Sequence, residues 1–215
     1  MESNHKIAVI GGGGRTGKYL VSQLLEKGFH LKLLLRNPEK DTHSDSPQIE
    51  IIQGDVLDYD LVRELLSDCK AVISTVGQRK DEPLVASQAT INILKAMKKS
   101  KPLLTRYILV AGLNVDVPSD KKSAETIAAT DWMKSNFPDI HADKQKSFQI
   151  LSESDTDWTL VRVPFIEFTE ERREIGVSLE DSPGQRITAA DIAGFLIGQL
   201  NDVSYLKKAP FISNI

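Results

Sequence analysis

The chain of 215 residues has a single cysteine, Cys69, so no disulfide can form within it. A chain of this length buries roughly 70% of the surface its unfolded form exposes, so packing alone can hold it. No basic-then-apolar leader precedes the first apolar run, and no stretch approaches the ~20 apolar residues needed to cross a bilayer. The expectation is a cytoplasmic protein with no membrane partner. A formal charge of −3 lacks the basic excess of a general nucleic-acid binder, so no nucleic-acid partner is expected either. Four dispersed histidines without a cysteine cluster give no metal-ligand spacing, and no metal is expected. Cys69 has no nearby histidine to activate it and reads as an inert thiol.

What is present is ordinary for a globular domain: 40% hydrophobic and 27% charged residues. Short apolar, β-branched runs alternate with stretches of helical period. Strands are predicted at Lys6–Ile10, Leu31–Leu35, Ile49–Gln53, Ala71–Val76, Tyr107–Val110 with its flanks, and Trp158–Val163. Helices are predicted at Arg15–Lys27, Asp58–Ser67, Val85–Lys99, Ala142–Ser152 and Ile187–Leu200, the last opened by Thr188 and Asp191 as a capping box. Asn37–Pro47 reads as a loop with room for a short helix, and the charged run Glu167–Glu174 as a solvated loop, hairpin or lid. The alternation implies an α/β fold: a doubly wound parallel sheet of Rossmann type in three αβα layers. It reads as one domain over 1–215, with a small substrate-side portion at about 164–187.

The first strand-to-helix turn carries Gly11, Gly14 and Gly17. Gly11 permits a sharp turn, Gly14 lets backbone approach a pyrophosphate, and Gly17 allows close helix–sheet packing. The helix N-terminus that follows offers N–H donors and partial positive charge. No acid occurs between Gly11 and Leu25, while Arg15 and Lys18 are basic. A ligand-free glycine turn is the alternative, but the strand before and the amphipathic helix after favour a dinucleotide. No Gly-Lys-Ser/Thr follows, so this is not a Walker loop. An acid after the second strand would bind the ribose 2′-hydroxyl of NAD; Arg36 stands there instead, and a guanidinium suits the 2′-phosphate of NADP. NADP(H) is therefore expected ahead of NAD(H), with a solvated strand end as the other reading of Arg36.

The segments IAVIGGGGRTGKYL (7–20), LLLRNPEK (33–40), QGDVLD (53–58), AVISTVGQ (71–78), DWTLVRVPF (157–165) and ITAADIA (187–193) together resemble the atypical short-chain dehydrogenase/reductases. The similarity is to the NmrA-like and biliverdin reductase B/flavin reductase type, in order and spacing over nearly the whole chain. That resemblance implies a cofactor site of Gly11, Gly14, Arg15, Thr16, Gly17 and Arg36, with Asp55 and Val56 at the adenine. Thr75, Val76 and Gly77 would follow the ribose and pyrophosphate. Ala111, Gly112, Lys144, Val163, Pro164 and Phe165 would border the nicotinamide. Asp55 is also open to a turn-capping role, and Val163–Phe165 to a plain core strand.

The catalytic pattern is incomplete. The fifth strand ends Val110-Ala111-Gly112 without the family's frequent hydroxyl, and no Tyr-x-x-x-Lys occurs. Lys144 and His141 are the candidate proton donors, with surface helix positions as their alternative, and Lys144 stands where the family often has a lysine. Trp132, Trp158, Phe165 and Phe168 are candidate pocket aromatics, with core packing the alternative for Trp158. Two functions stay open: an NADPH-dependent reductase of a small planar acceptor (flavin, quinone or carbonyl compound), and a non-catalytic NmrA-like NADP(H) sensor reporting to a protein partner. An NAD(P)-dependent epimerase or dehydratase is a third, weakened by the missing Tyr/Lys pair.

Overall fold

The computed structural model describes residues 6–40, 45–78, 82, 84–100 and 106–215. The chain begins with β1 (Lys6–Ile10), α1 (Gly17–Glu26), β2 (Leu31–Leu35), β3 (Ile49–Gln53), α2 (Tyr59–Leu65) and β4 (Cys69–Ser74). It continues through α3 (Ala86–Ser100), β5 (Arg106–Gly112), α4 (Ala124–Asn136), α5 (Pro138–Ser152) and β6 (Asp157–Val163). The remainder is β7 (Phe165–Glu167), β8 (Ile175–Ser178), β9 (Arg186–Thr188), α6 (Ala189–Gly198) and β10 (Phe211–Asn214).

The main sheet runs in the order β3-β2-β1-β4-β5-β6-β10-β8. All neighbouring pairs from β3 to β10 are parallel, and β8 closes the edge antiparallel to β10. β7 and β9 form a separate parallel pair. Side chains of β1 alternate between two cores. Ile7 and Val9 pack with α1 and α6 residues such as Leu20, Leu24 and Ile192. Ala8 and Ile10 pack with α2, α3 and α5 residues such as Val62, Ile93 and Leu151. A sheet covered on both faces needs apolar residues on both, which is why its strands read as continuous hydrophobic runs. Full burial of Leu20, Leu24 and Ile93 contributes roughly 1.5–3 kcal/mol each before the cost of ordering. This is the expected three-layer αβα Rossmann-type architecture.

The departures lie outside the parallel core. α4, β7, β8 and β10 were not expected. Inside α4 the small polar Thr126 and Thr130 are buried while Ile127 and Trp132 are exposed, so it carries no apolar stripe to read. α5 begins at Pro138, four residues before the predicted Ala142, with proline in its first turn where a missing N–H costs nothing. Strand β4 ends at Ser74, so Thr75 and Val76 belong to the loop after it. The predicted helix from Ile187 opens as β9 and turns helical only at Ala189. Thr188 Oγ1 accepts from the Asp191 N–H at 3.0 Å, but the Thr188 N–H donates to Asn214 Oδ1, so half of the capping box forms. Residues 41–44 of the predicted loop lie outside the described residues.

Cys69 is enclosed, and burial pushes its thiol pKa up to about 12, as an inert thiol requires. Among the described residues no helix is long and apolar enough to cross a membrane.

Candidate functional site

The chain passes from β1 to the β2–β3 side and then returns to β4 on the other side, so the strand order reverses between β1 and β4. Ligands of open α/β sheets sit at the carboxyl ends of the strands at such a switch. The two strand ends are tied together there: Thr75 N–H donates to the Ile10 carbonyl at 2.9 Å, and its hydroxyl to the Gly11 carbonyl at 3.1 Å.

The glycine turn is built on close backbone approach. Gly11 has φ +86°, and a Cβ there would lie 2.9 Å from the Thr75 carbonyl carbon. Gly14 N–H closes the turn onto the Gly11 carbonyl at 3.0 Å. A Cβ on Gly17 would run into the Gly11 carbonyl oxygen and stand 2.7 Å from that of Gly12. Gly17→Ala is therefore expected to destabilise the fold by about 1–3 kcal/mol, read as a lower urea midpoint. Gly77→Ala is the control: a Cβ at Gly77 meets nothing within 4 Å, and its effect should stay within about 0.5 kcal/mol. Equal losses at the two positions would contradict the packing role of Gly17.

Above this turn lies a cleft of about 610 Å³, a size suited to a nucleotide ligand. Its lining includes Gly11, Gly14, Arg15, Thr16 and Arg36 at one end, and Thr75, Val76 and Gly77 in the middle. Ala111, Gly112, Lys144, Val163 and Pro164 line the other end. Among the described residues the lining holds three cations, Arg15, Arg36 and Lys144, and no acid, which suits a polyanion. The structure thus brings together most of the residues expected from sequence.

Three expected residues stand apart. Asp55 does not line the cleft, although Gly54 and Val56 do. Its carboxylate accepts from the Leu57 N–H at 3.0 Å, the turn-capping role. Phe165 is 67% exposed and lies 5.5 Å from the Arg186 guanidinium, outside the cleft lining. Strand alternation explains the correction: with Phe165 turned out, Ile166 and Phe168 line the cleft instead. Gly17 acts through helix packing and not as part of the cleft wall.

Of the aromatic candidates, Phe168 lines the cleft, with the Arg15 guanidinium 4.5 Å from its ring centroid. Trp158 is buried edge-on against Phe148, and Trp132 lies exposed against Phe137. Gln78 also lines the cleft; sequence pattern gave it no signal.

At the far end, α5 supplies Lys144. Asp143, its neighbour, accepts from the N–H groups of Ala86 and Ser87 at 2.7 and 3.2 Å, and so pins α5 against the start of α3. That anchor turns Lys144 toward the cleft, where Nζ donates to the Val76 carbonyl at 3.0 Å. Burial pushes the Lys144 pKa below the ordinary lysine value, with the Asp143 charge opposing. One turn earlier, His141 Nδ1 lies 3.0 Å from the Asn114 amide nitrogen, a donor, which leaves the neutral ring's proton on Nε2. Burial, then the charge of Lys134, hold His141 below its usual value. His141 does not line the cleft.

Comparison with known proteins agrees with this geometry. Residues 11–203 match the family described as NAD(P)H-binding. Over 147 residues the chain is 24% identical to cinnamoyl-CoA reductase 1 of Petunia hybrida, covering 63% of this chain and 44% of that protein. Over 103 residues it is 34% identical to an isoflavone reductase homolog of Nicotiana tabacum, covering 44% of this chain and 31% of the other. The chain thus spans less than half the length of these two curated relatives. A solved short-chain dehydrogenase/reductase of Veillonella parvula, in complex with NADP, is similar at a TM-score of 0.79 and 15% identity, with 98% and 94% of the two chains covered. That likeness is one of fold.

Proposed function

From the premise that the chain belongs to the NAD(P)H-binding family, we propose that it is an NADPH-dependent reductase of a small planar acceptor: a flavin, a quinone or another carbonyl compound. The reading rests on one arrangement. A half-buried lysine, Lys144, reaches the end of the cleft opposite Arg36, where Ala111, Gly112 and Pro164 leave an open, small-residue wall.

In this reading the backbone of Gly11–Gly14 and the N-terminal end of α1 hold the pyrophosphate. Arg36 would take the ribose 2′-phosphate through charge-assisted hydrogen bonds, and Arg15, held over the Phe168 ring, adds positive charge to the cleft. Bound NADPH supplies a hydride to the acceptor. Lys144 holds the matching proton on Nζ and delivers it to the acceptor oxygen or nitrogen that gains the electron pair. Ile166 and Phe168 offer apolar surface to a flat ligand.

Two measurements test this. Purified protein with NADPH and a panel of flavins and quinones should consume the reduced nicotinamide. Arg36→Ala should weaken NADPH binding about 10- to 100-fold, the worth of one charge-assisted hydrogen bond, and leave NADH binding unchanged. An unchanged preference between the two dinucleotides would remove Arg36 from the cofactor site. One observation favours a second reading: the end of β5 offers no hydroxyl, which suits an NADP(H) sensor that acts through a protein partner. Tight NADP(H) binding with no turnover on any acceptor would select it.

A further inference from the structure

Glu82 stands beside Arg36, which lines one end of the cleft. Both of its carboxylate oxygens lie 2.9 Å from Arg36 Nη1, which donates to them. Its own backbone carbonyl accepts from Gln78 Nε2 at 3.1 Å, and Gln78 lines the cleft. On the other side, Gln53 Nε2 donates to the Arg36 carbonyl at 3.4 Å, tying Arg36 to the end of β3. The two partners therefore approach each other from separately held backbones. Their side chains are 40% and 38% exposed, so the pair faces solvent and can exchange.

We infer that Glu82 is a specificity-determining residue: its carboxylate competes within the chain for the guanidinium that a ribose 2′-phosphate would occupy. The inference rests on the dinucleotide reading above and deepens it. A carboxylate and a phosphate are both oxyanions that accept from the same N–H edge of arginine. They cannot share Arg36 Nη1 without like-charge repulsion, and a 2′-phosphate brings up to two negative charges. A 2′-hydroxyl brings none and needs no rearrangement of the pair. Glu82 therefore acts against NADP(H) alone and narrows the preference that Arg36 creates. Because exposed ion pairs are weak, the effect is a few-fold.

The test measures dissociation constants of NADPH and NADH for the wild type, Glu82→Gln, Arg36→Ala and the double variant, at low and high salt. Glu82→Gln is expected to tighten NADPH about 2- to 5-fold, to leave NADH unchanged, and to do less at high salt. In the Arg36→Ala background the same change should have no effect, because the contested guanidinium is gone. An unchanged NADPH constant overturns the inference. So does weakened NADH binding, which would make Glu82 an acceptor for the ribose hydroxyl. If no variant binds either dinucleotide, the dinucleotide reading falls and this inference with it. Normal binding with no response to Glu82→Gln removes the inference alone.

Discussion

Replacing Arg162 by methionine is expected to lower the unfolding free energy by about 3–5 kcal/mol, the usual cost of breaking one side of a buried ion pair. Arg162 is fully buried on β6, with its guanidinium carbon 3.5 Å from the Phe211 ring centroid. Nε donates to the Ala209 carbonyl at 2.9 Å. Nη1 donates to the Val115 carbonyl at 3.0 Å and to Asp120 Oδ2 at 2.7 Å. Methionine nearly fills the volume but satisfies none of these acceptors. The Asp120 carboxylate would keep the Val117 N–H at 2.9 Å and Lys122 Nζ at 3.8 Å but lose its nearest cation.

The cause can be isolated. If the weakened pairing of the buried carboxylate is responsible, the pair Arg162→Met with Asp120→Asn should recover part of the loss, because the charge that lost its nearest partner is gone. A double variant no more stable than Arg162→Met would place the loss in the unpaired Val115 and Ala209 carbonyls and the contact with Phe211. Arg162→Lys keeps the charge but not the fork, and should restore less than half of the stability. The loss should be local as well as global. Val115 and Asp120 belong to the segment that leaves β5 beside Gly112, so hydrogen exchange should quicken over 113–122. Unfolding in urea reads the first effect and amide exchange the second.

Arg162 also shows where sequence reading stops. DWTLVRV is legible as a strand because its flanking residues are apolar and β-branched, but nothing in that run says that its arginine is enclosed. The partners that make it tolerable, Asp120 and the carbonyls of Val115 and Ala209, are remote in sequence. β1, β2 and β4 to β6 were legible because strands buried on both faces need no alternation to be recognised, and the edge strand β3 because its isoleucines still form a short β-branched run. The glycine turn was legible because close backbone approach demands one residue type. β10 has four residues and joins the sheet only through long-range pairing, and α4 has no apolar face, so neither leaves a periodic signal.

The candidate site divides in the same way. Its backbone-built part, Gly11 to Thr16 with Thr75 to Gly77, follows from glycine spacing and strand order. Its side-chain part depends on which way a strand turns. A one-residue difference decided that Ile166 and Phe168, and not Phe165, face the cleft. The Arg36–Glu82 pair joins residues 46 positions apart and has no sequence signature.

Lys144→Met is expected to lower kcat about 100-fold with NADPH and a quinone, the low end of what a positioned general acid contributes. One of the three Nζ protons is spent on the Val76 carbonyl, and two remain for the cleft. Burial lowers the pKa of this ammonium, so activity should be present below that pKa and be lost as pH rises through it, in a range beneath the ordinary lysine value of about 10.4. Lys144→Met should flatten this basic limb of the pH profile. Lys144→Arg keeps positive charge for the cofactor but holds its proton too tightly to give it up, so it should rescue KM and not kcat.

The stability sign runs the other way, and that separates chemistry from unfolding. The folded state disfavours the charged lysine, so its contribution is least favourable below the folded pKa and improves as pH rises from there toward the unfolded value. Methionine removes that burden. At neutral pH the variant should be at least as stable as the wild type while its turnover falls. A basic limb that survives in Lys144→Met would assign the proton to a group other than Lys144.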